Sequence, residues 1–384
     1  MRRITDEQRR RRLARRHGLA EPLGSVHDAT AAMTCLHATE PASVHLAAFA
    51  RSGASIGDVD KALYDDRSVV KQLAMRRTVF AFPRDLLPAV WGSAAARVAA
   101  QQRAQLGRDV VKAGITDDGP VWVEETTAAV LTMLHEQGPM TTMQLRGAIS
   151  ALEARLVISP GKTYGGEFPV APRVLTTLAA SGAIVRGEND GGWKTSRPRW
   201  TVAADWIPVE PALPEAEGYA ELVRSWLHTF GPGTEADIVW WLGATKAAAR
   251  RALADVGAVE VGLDHGTGWV LPDDLDDEPP VAPWAALLPA LDPTTMGWKG
   301  RDFYLGDHAG RLFDANGNGG PTAWWDGRIV GGWSQDDAGR VVVVPAEPLA
   351  RDAKAALDGK AAELTAWLDG DVVKSIYQSP LVRG

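Results

Sequence analysis

Apolar positions along this chain fall into short helical blocks separated by Gly-Pro and glycine turns, and one order of blocks occurs twice. Leu134-His135-Glu136-Gln137-Gly138-Pro139-Met140-Thr141 returns as Leu227-His228-Thr229-Phe230-Gly231-Pro232-Gly233-Thr234. Each copy leads into a helical stretch and then a Leu-Ala-x-x-Gly-Ala segment, at 178–183 and 253–258. Each closes on a short hydrophobic run, a glycine turn and Gly-Trp, at Gly192-Trp193 and Gly268-Trp269. Helix, turn, helix, helix and β-ribbon in that order predict a winged helix. A repeated nucleic-acid-binding module predicts a chain built to embrace a duplex.

The remaining pattern extends this plan. Thr5-Asp6-Glu7-Gln8 reads as a capped helix start, with the helix running to Arg16 and ending near Gly18. Helices are predicted over 26–36, 41–51, 58–63 and 69–76. The β-branched and aromatic run Thr78-Val79-Phe80-Ala81-Phe82 is predicted as a strand. Residues 25–85 thus resemble a first, diverged winged helix. A helical stretch over 86–112 leads to the second, at 120–206, which carries a glycine-rich insertion at 159–166. The third spans 215–272. After an acidic, Pro-rich linker at 273–280, strands predicted at 284–289, 322–325, 328–333 and 341–344 suggest a small sheet or barrel. A helix over 351–369 and a short strand-like tail close the chain. The expected fold class is α+β: three tandem winged helices and a C-terminal β-barrel or sheet, curved around a DNA-sized cleft. The expected units are 1–115, 116–210, 211–278 and 279–384.

Composition narrows the class. The 384 residues supply two or three domains, and no apolar run approaches the roughly 20 residues of a membrane span. The Arg-rich N-terminus lacks a following apolar segment, so a cytoplasmic, nucleoid-associated protein is expected rather than a secreted one. A single cysteine, Cys35, excludes an intramolecular disulfide and a cysteine-cluster metal site. Abundant Arg and Ala with scarce Lys suggest a GC-rich bacterial genome. The net charge of −7 weighs against DNA binding, but residues 1–120 carry 19 Lys and Arg against 13 Asp and Glu. Local field, not total charge, decides phosphate binding. The N-terminal arginines supply such a field or merely solvate a helix face.

The junction Met33-Thr34-Cys35-Leu36-His37-Ala38-Thr39-Glu40-Pro41 places two polar side chains, His37 and Thr39, two residues apart between apolar helices. In an extended turn both project the same way and can share one water, with His37 accepting its proton and Thr39 orienting it. Thr39 reads equally well as a cap for the helix at Pro41.

Here the chain resembles the bacterial winged-helix DNA glycosylases of the azinomycin-resistance, or AlkZ, type, which unhook interstrand crosslinks and remove bulky alkylated bases. The resemblance covers nearly the whole chain. It rests on Leu36-His37-Ala38-Thr39-Glu40-Pro41, Arg51, Met75-Arg76-Arg77-Thr78-Val79-Phe80 and the two Gly-Pro-x-Thr modules. Leu288-Pro289-Ala290-Leu291-Asp292-Pro293 and Asp326-Gly327-Arg328-Ile329-Val330-Gly331-Gly332-Trp333 complete it. It implies hydrolysis of the N-glycosidic bond of N7-alkylated purines, with double-stranded DNA as partner, no metal or other cofactor, and a monomer. The family's catalytic motif is usually Gln-x-Gln or Gln-x-Asp, and His-x-Gln in some members. His37 and Thr39 occupy those positions here, and Arg77 stands where the family has glycine.

DNA contacts are expected from Arg51, from Arg76 and Arg77 at the end of the 69–76 helix, and from Lys162 in the insertion. Arg173 before the 174–180 helix, and Lys194, Arg197 and Arg199 around the second wing, complete the set. Asp292 reads as a stabiliser of developing positive charge or as a turn cap. The acidic third wing is expected to be architectural, and most of the 15 tryptophans to be core, with Trp298 and Trp333 the exceptions. Two rivals remain: a regulatory or protective winged-helix DNA-binding protein whose altered motif lacks catalysis, and a relic binding a small aromatic ligand.

Overall fold

The computed structural model describes residues 1–158, 165–208 and 210–383. Three units of one plan follow one another. In the first, helices Val26–Ala32, Pro41–Ser52 and Ile56–Asp60 lead to a three-stranded sheet. Its strands are β1 (Leu36–His37), β2 (Val69–Ala74) and β3 (Thr78–Pro83), in the order β1-β3-β2. The second unit runs through helices Gly119–Gln137, Thr142–Ala148 and Ala171–Ala180. It carries an added hairpin, β4 (Arg155–Ile158) with β5 (Gly166–Pro169), and closes on β6 (Ile184–Asn189) with β7 (Pro198–Val202). The third has helices Glu215–Phe230, Glu235–Leu242 and Lys246–Asp255 and the hairpin β8 (Val259–Leu263) with β9 (Gly266–Val270).

The repeat seen in the sequence is also a repeat of contacts. Thr141 and Thr234 each cap a helix in a reciprocal box, with Gln144 and Asp237. The residue before each threonine, Met140 or Gly233, bridges a tryptophan on the outer hairpin strand, Trp200 or Trp269. In the first unit His37 makes the same pairing, with Phe80. His37 therefore occupies the topological place of Met140 and Gly233.

Two predicted elements are corrected. Residues 69–76 form a strand and a turn, not a helix. All six residues of β2 are buried, so the alternation that marks a strand is missing, and pairing with β3 decides the conformation. At the C-terminus the tail ends in a short helix, Pro380–Arg383, rather than a strand. The preceding sheet is an open antiparallel meander: β10 (Ala285–Leu288), β11 (Thr322–Trp325), β12 (Arg328–Gln335) and β13 (Val341–Pro345) pair in chain order. β10 and β13 do not pair with each other, so the strands form a sheet and not a closed barrel. Helix Arg351–Leu368 packs on it with Leu357, Leu364 and Leu368. Among the described residues no helix is long and apolar enough to cross a membrane.

The N-terminal helix Asp6–Arg16 ties distant parts together. Arg12 and Arg16 converge on Asp274, each at 2.6 Å, and Arg2 and Arg3 reach Asp277 and Asp264. All four are paired with carboxylates of the acidic segment 264–278, Arg12 buried, Arg16 partly buried and Arg2 and Arg3 at the surface.

A second tie is fully buried. Arg51 meets Asp292 through two charge-assisted hydrogen bonds of 2.7 and 2.9 Å, with both side chains 0% exposed. The same guanidinium donates to the Ala47 carbonyl and the Thr294 hydroxyl, while Asp292 accepts from the Thr294 N–H and so caps the Pro293–Met296 turn. This corrects one site expectation, since Arg51 has no surface from which to touch DNA; Asp292 caps the turn, one of its two expected roles, and holds the ion pair. Removing one partner strands the other charge in the core. Asp292→Ala is expected to lower unfolding free energy by about 3–5 kcal/mol, while Arg51→Met with Asp292→Leu recovers much of that loss. Urea denaturation of the three proteins measures this.

Candidate functional site

His37 is set by short-range chemistry. Thr34, with φ of 61°, turns the chain out of helix Val26–Ala32, and β1 then lies along β3. The imidazole packs edge-on to Phe80 at 5.5 Å. It lines a cavity of about 230 Å³ with Cys35, Thr78 and Phe80 of its own unit. Arg76 from the β2–β3 turn, Trp241 from the third unit, and Leu291, Pro293, Met296 and Asn318 from the C-terminal region complete the wall. Three parts of the chain, remote in sequence, therefore meet at this histidine. Among the described residues its cavity wall holds one cation, Arg76, and no carboxylate.

Nδ1 of His37 accepts the Thr39 backbone N–H at 3.4 Å, so the neutral ring carries its proton on Nε2. Burial, reinforced by the nearby Arg76 charge, pushes its pKa from 6.5 down to about 3. The ring is thus a neutral donor and a weak base. This revises the expectation that it accepts a proton from water. Thr39 also differs from expectation. Its side chain is not part of the cavity wall, and helix Pro41–Ser52 has no side-chain cap bond. The contribution of Thr39 is its main-chain N–H.

Arg76 and Arg77 lie at the hairpin tip, with φ of 54° and 58°, not at a helix end. A left-handed φ at Arg77 suits the glycine that the resemblance places there. The Arg76 guanidinium stacks over Trp240 at 4.2 Å, and Arg301 approaches the same ring at 5.4 Å. Desolvation lowers the Arg76 pKa to about 10. Close approach at this point needs Gly243, where a Cβ would lie 3.2 Å from Cγ of Arg76.

The other expected DNA contacts are scattered. Lys194 is paired with Asp371 at 2.6 Å, Arg199 with Asp190 at 3.3 Å and Arg173, inside its helix, with Asp109 at 3.5 Å. Arg77 and Arg197 are exposed and have no carboxylate partner among the described residues. Lys162 lies outside the described residues. Trp298 and Trp333 are core: each indole donates to a carbonyl, of Phe230 and Leu288 respectively. The aromatic pair that sequence reasoning missed is Trp240-Trp241. Its one signal is an apolar tandem at the end of a helix only eight residues long.

An α+β scaffold of repeated units, with a neutral histidine in a cavity beside a cationic turn, defines a class of protein. Comparison with known proteins gives its family. The family model of AlkZ-like DNA glycosylases matches residues 30–367, and the chain belongs to that family. The DNA glycosylase AlkZ of Streptomyces sahachiroi has a similar fold, with a TM-score of 0.71 at 22% identity, over 96% of this chain and 97% of that one. No curated protein matches.

Two outcomes are expected. The unfolded chain regains an ordinary histidine, so it takes up a proton before the folded one does. Stability held by the neutral ring is therefore intact above about pH 6.5 and declines as pH falls toward about 3. His37→Gln should flatten part of that decline in urea denaturation, and a His37 ring found by NMR to titrate near 6.5 contradicts it. For phosphate contact, Arg77→Gln and Arg197→Gln should each reduce the slope of log affinity against log salt by about 1. Lys194→Gln and Arg199→Gln, whose charges already have partners, should leave it unchanged. Fluorescence anisotropy with duplex DNA reads both slopes.

Proposed function

We propose that the protein hydrolyses the N-glycosidic bond of bulky or crosslinked N7-alkylated purines in double-stranded DNA, leaving free modified base and an abasic site. Family membership supports glycosylase chemistry, and the single structural observation that carries the reading is His37 at the meeting point of three parts of the chain. On this reading the three repeated units are winged helices, with unit limits at 1–115, 116–210 and 211–278 and the sheet domain at 279–384. They hold the duplex as a monomer, because the repeats that a dimer would supply are internal.

Alkylation at N7 makes the purine cationic and a good leaving group, so weak catalytic groups suffice. Water adds to C1′ as the bond to N9 breaks. The electron pair leaves with the base and cancels its charge, and the water's proton passes to solvent. The neutral ring of His37 donates from Nε2 and so holds the water oxygen in line, much as an amide would. Its main-chain bond from Thr39 fixes the tautomer. Arg76 and Arg77 contact the backbone beside the lesion.

One observation favours a second reading. A histidine this weakly basic is also compatible with a DNA-binding protein that does not cleave. Alkali-revealed strand scission of N7-alkylated DNA separates the two. Scission by wild type that falls by about 10²-fold or more in His37→Ala supports the enzyme. His37→Gln should retain activity within about tenfold, because an amide keeps the donor and needs no base. Binding with no scission by wild type leaves the second reading.

A further inference from the structure

A larger chamber, of about 560 Å³, adjoins the His37 cavity and has no part in the chemistry above. The two share a partition. Ala290 lines the chamber and Leu291 the His37 cavity, and consecutive Cα atoms lie about 3.8 Å apart. Across from this partition, His37 faces one space and Glu40, three residues on, faces the other. The partition is fixed from behind by Asp292 on Arg51 and by the Ser43 hydroxyl on the Ala290 carbonyl, at 3.4 Å.

The chamber's outer wall is built as firmly. The C-terminal segment crosses it, held where Glu40 accepts from the Ser375 hydroxyl and the Ile376 N–H, and where Gln335 accepts from the Val373 N–H. Leu46 and Trp333 give the chamber an apolar surface, and Ser43, Ser334 and Gln378 add uncharged polar groups. Of its charged groups, Glu40 is held by that segment, Asp336 pairs with Arg340 at 2.7 Å, and Asp337 and Lys374 add one charge of each sign. Its volume falls in the range of pockets that take drug-sized molecules, about 300–1,000 Å³.

We infer that this chamber is an adduct subsite. With a damaged base against His37, the non-base arm of a bulky lesion passes the 289–293 partition and seats in the chamber. The arm that fits is uncharged, with an apolar body and hydroxyl or amide groups. The inference rests on the glycosylase reading for its substrate, and names which lesions that site selects.

The test uses two duplexes, one with a single N7-methylguanine and one with an N7-guanine bearing a bulky, uncharged aryl-alkyl arm. Ser334→Trp fills the chamber from β12, and Gln378→Trp fills it from the exposed C-terminal segment, where folding is least at risk. Both should slow release of the bulky base by about tenfold or more and weaken binding of that duplex, leaving the methylated one unchanged. Equal effects on both lesions, or none on either, overturn the subsite. If wild type releases neither base, the glycosylase reading fails. The binding arm still decides the subsite, which then stands only if the tryptophan variants selectively weaken the bulky duplex.

Discussion

The Arg51–Asp292 pair is the constraint on which the rest of the architecture depends. Two charges at 0% exposure are tolerable only with nearly every hydrogen-bonding position filled, and Nε of Arg51 is the one atom of the pair left without a partner. The network continues outward. The Thr294 hydroxyl takes a hydrogen bond from Arg51 and lies 2.9 Å from Nδ1 of His17, whose Nε2 faces the Thr229 carbonyl at 3.3 Å. Burial drives the His17 pKa well below its ordinary value, so this ring is also neutral and relays direction rather than charge. One chain of bonds thus joins the first unit, the C-terminal region, the N-terminal helix and the third unit. Leu291 is held in that region at φ of 59°, a conformation a branched residue keeps only when its surroundings over-determine it.

Charge is arranged with the same economy. Of the cations most conspicuous in the sequence, those of residues 2–16, Arg2, Arg3, Arg12 and Arg16 pair with Asp264, Asp274, Asp277 and Glu278. Net charge therefore says little about the field at the site, which is set by Arg76 at a hairpin tip and Arg301 beside it. Burial first and the Arg76 charge second, with no carboxylate on the cavity wall among the described residues, keep His37 neutral. In this environment His37 loses the property that most separates it from a neutral amide, the readiness to take a proton.

Much of this organisation was legible in the sequence, because it is local. The Thr caps, the Gly-Pro turns and the paired Leu-Ala-x-x-Gly-Ala segments announce themselves within eight to ten residues, and the C-terminal strands follow from runs such as Val341–Val344. What could not be read is what depends on partners far along the chain. β2 lacks alternation because helix Ala171–Ala180 and strand β6 lie against a sheet that is also packed within its own unit. Arg51 was legible as a position of note and misread in role, since nothing near it in sequence reveals Asp292, 241 residues away. Trp240 and Trp241 gave no distinctive signal, because their neighbours Arg76 and His37 belong to another unit.

The three equivalent junctions differ in how far each is enclosed. Each unit brings a residue from a short bridge against its outer hairpin strand, and in principle any could carry a reactive side chain. In the third unit that residue is Gly233, and a Cβ there would lie 2.1 Å from the Trp226 ring, so no side chain fits. In the second it is Met140, which meets Trp200. The first junction is faced by Trp241 of the third unit and by Leu291 and Pro293 of the C-terminal region, which turns an open edge into a cavity with a controlled dielectric. The repeat therefore supplies three identical supports, and the long-range ties through Arg51 and the N-terminal helix select which of them is enclosed. Enclosure, rather than the identity of the side chain alone, sets the environment of His37.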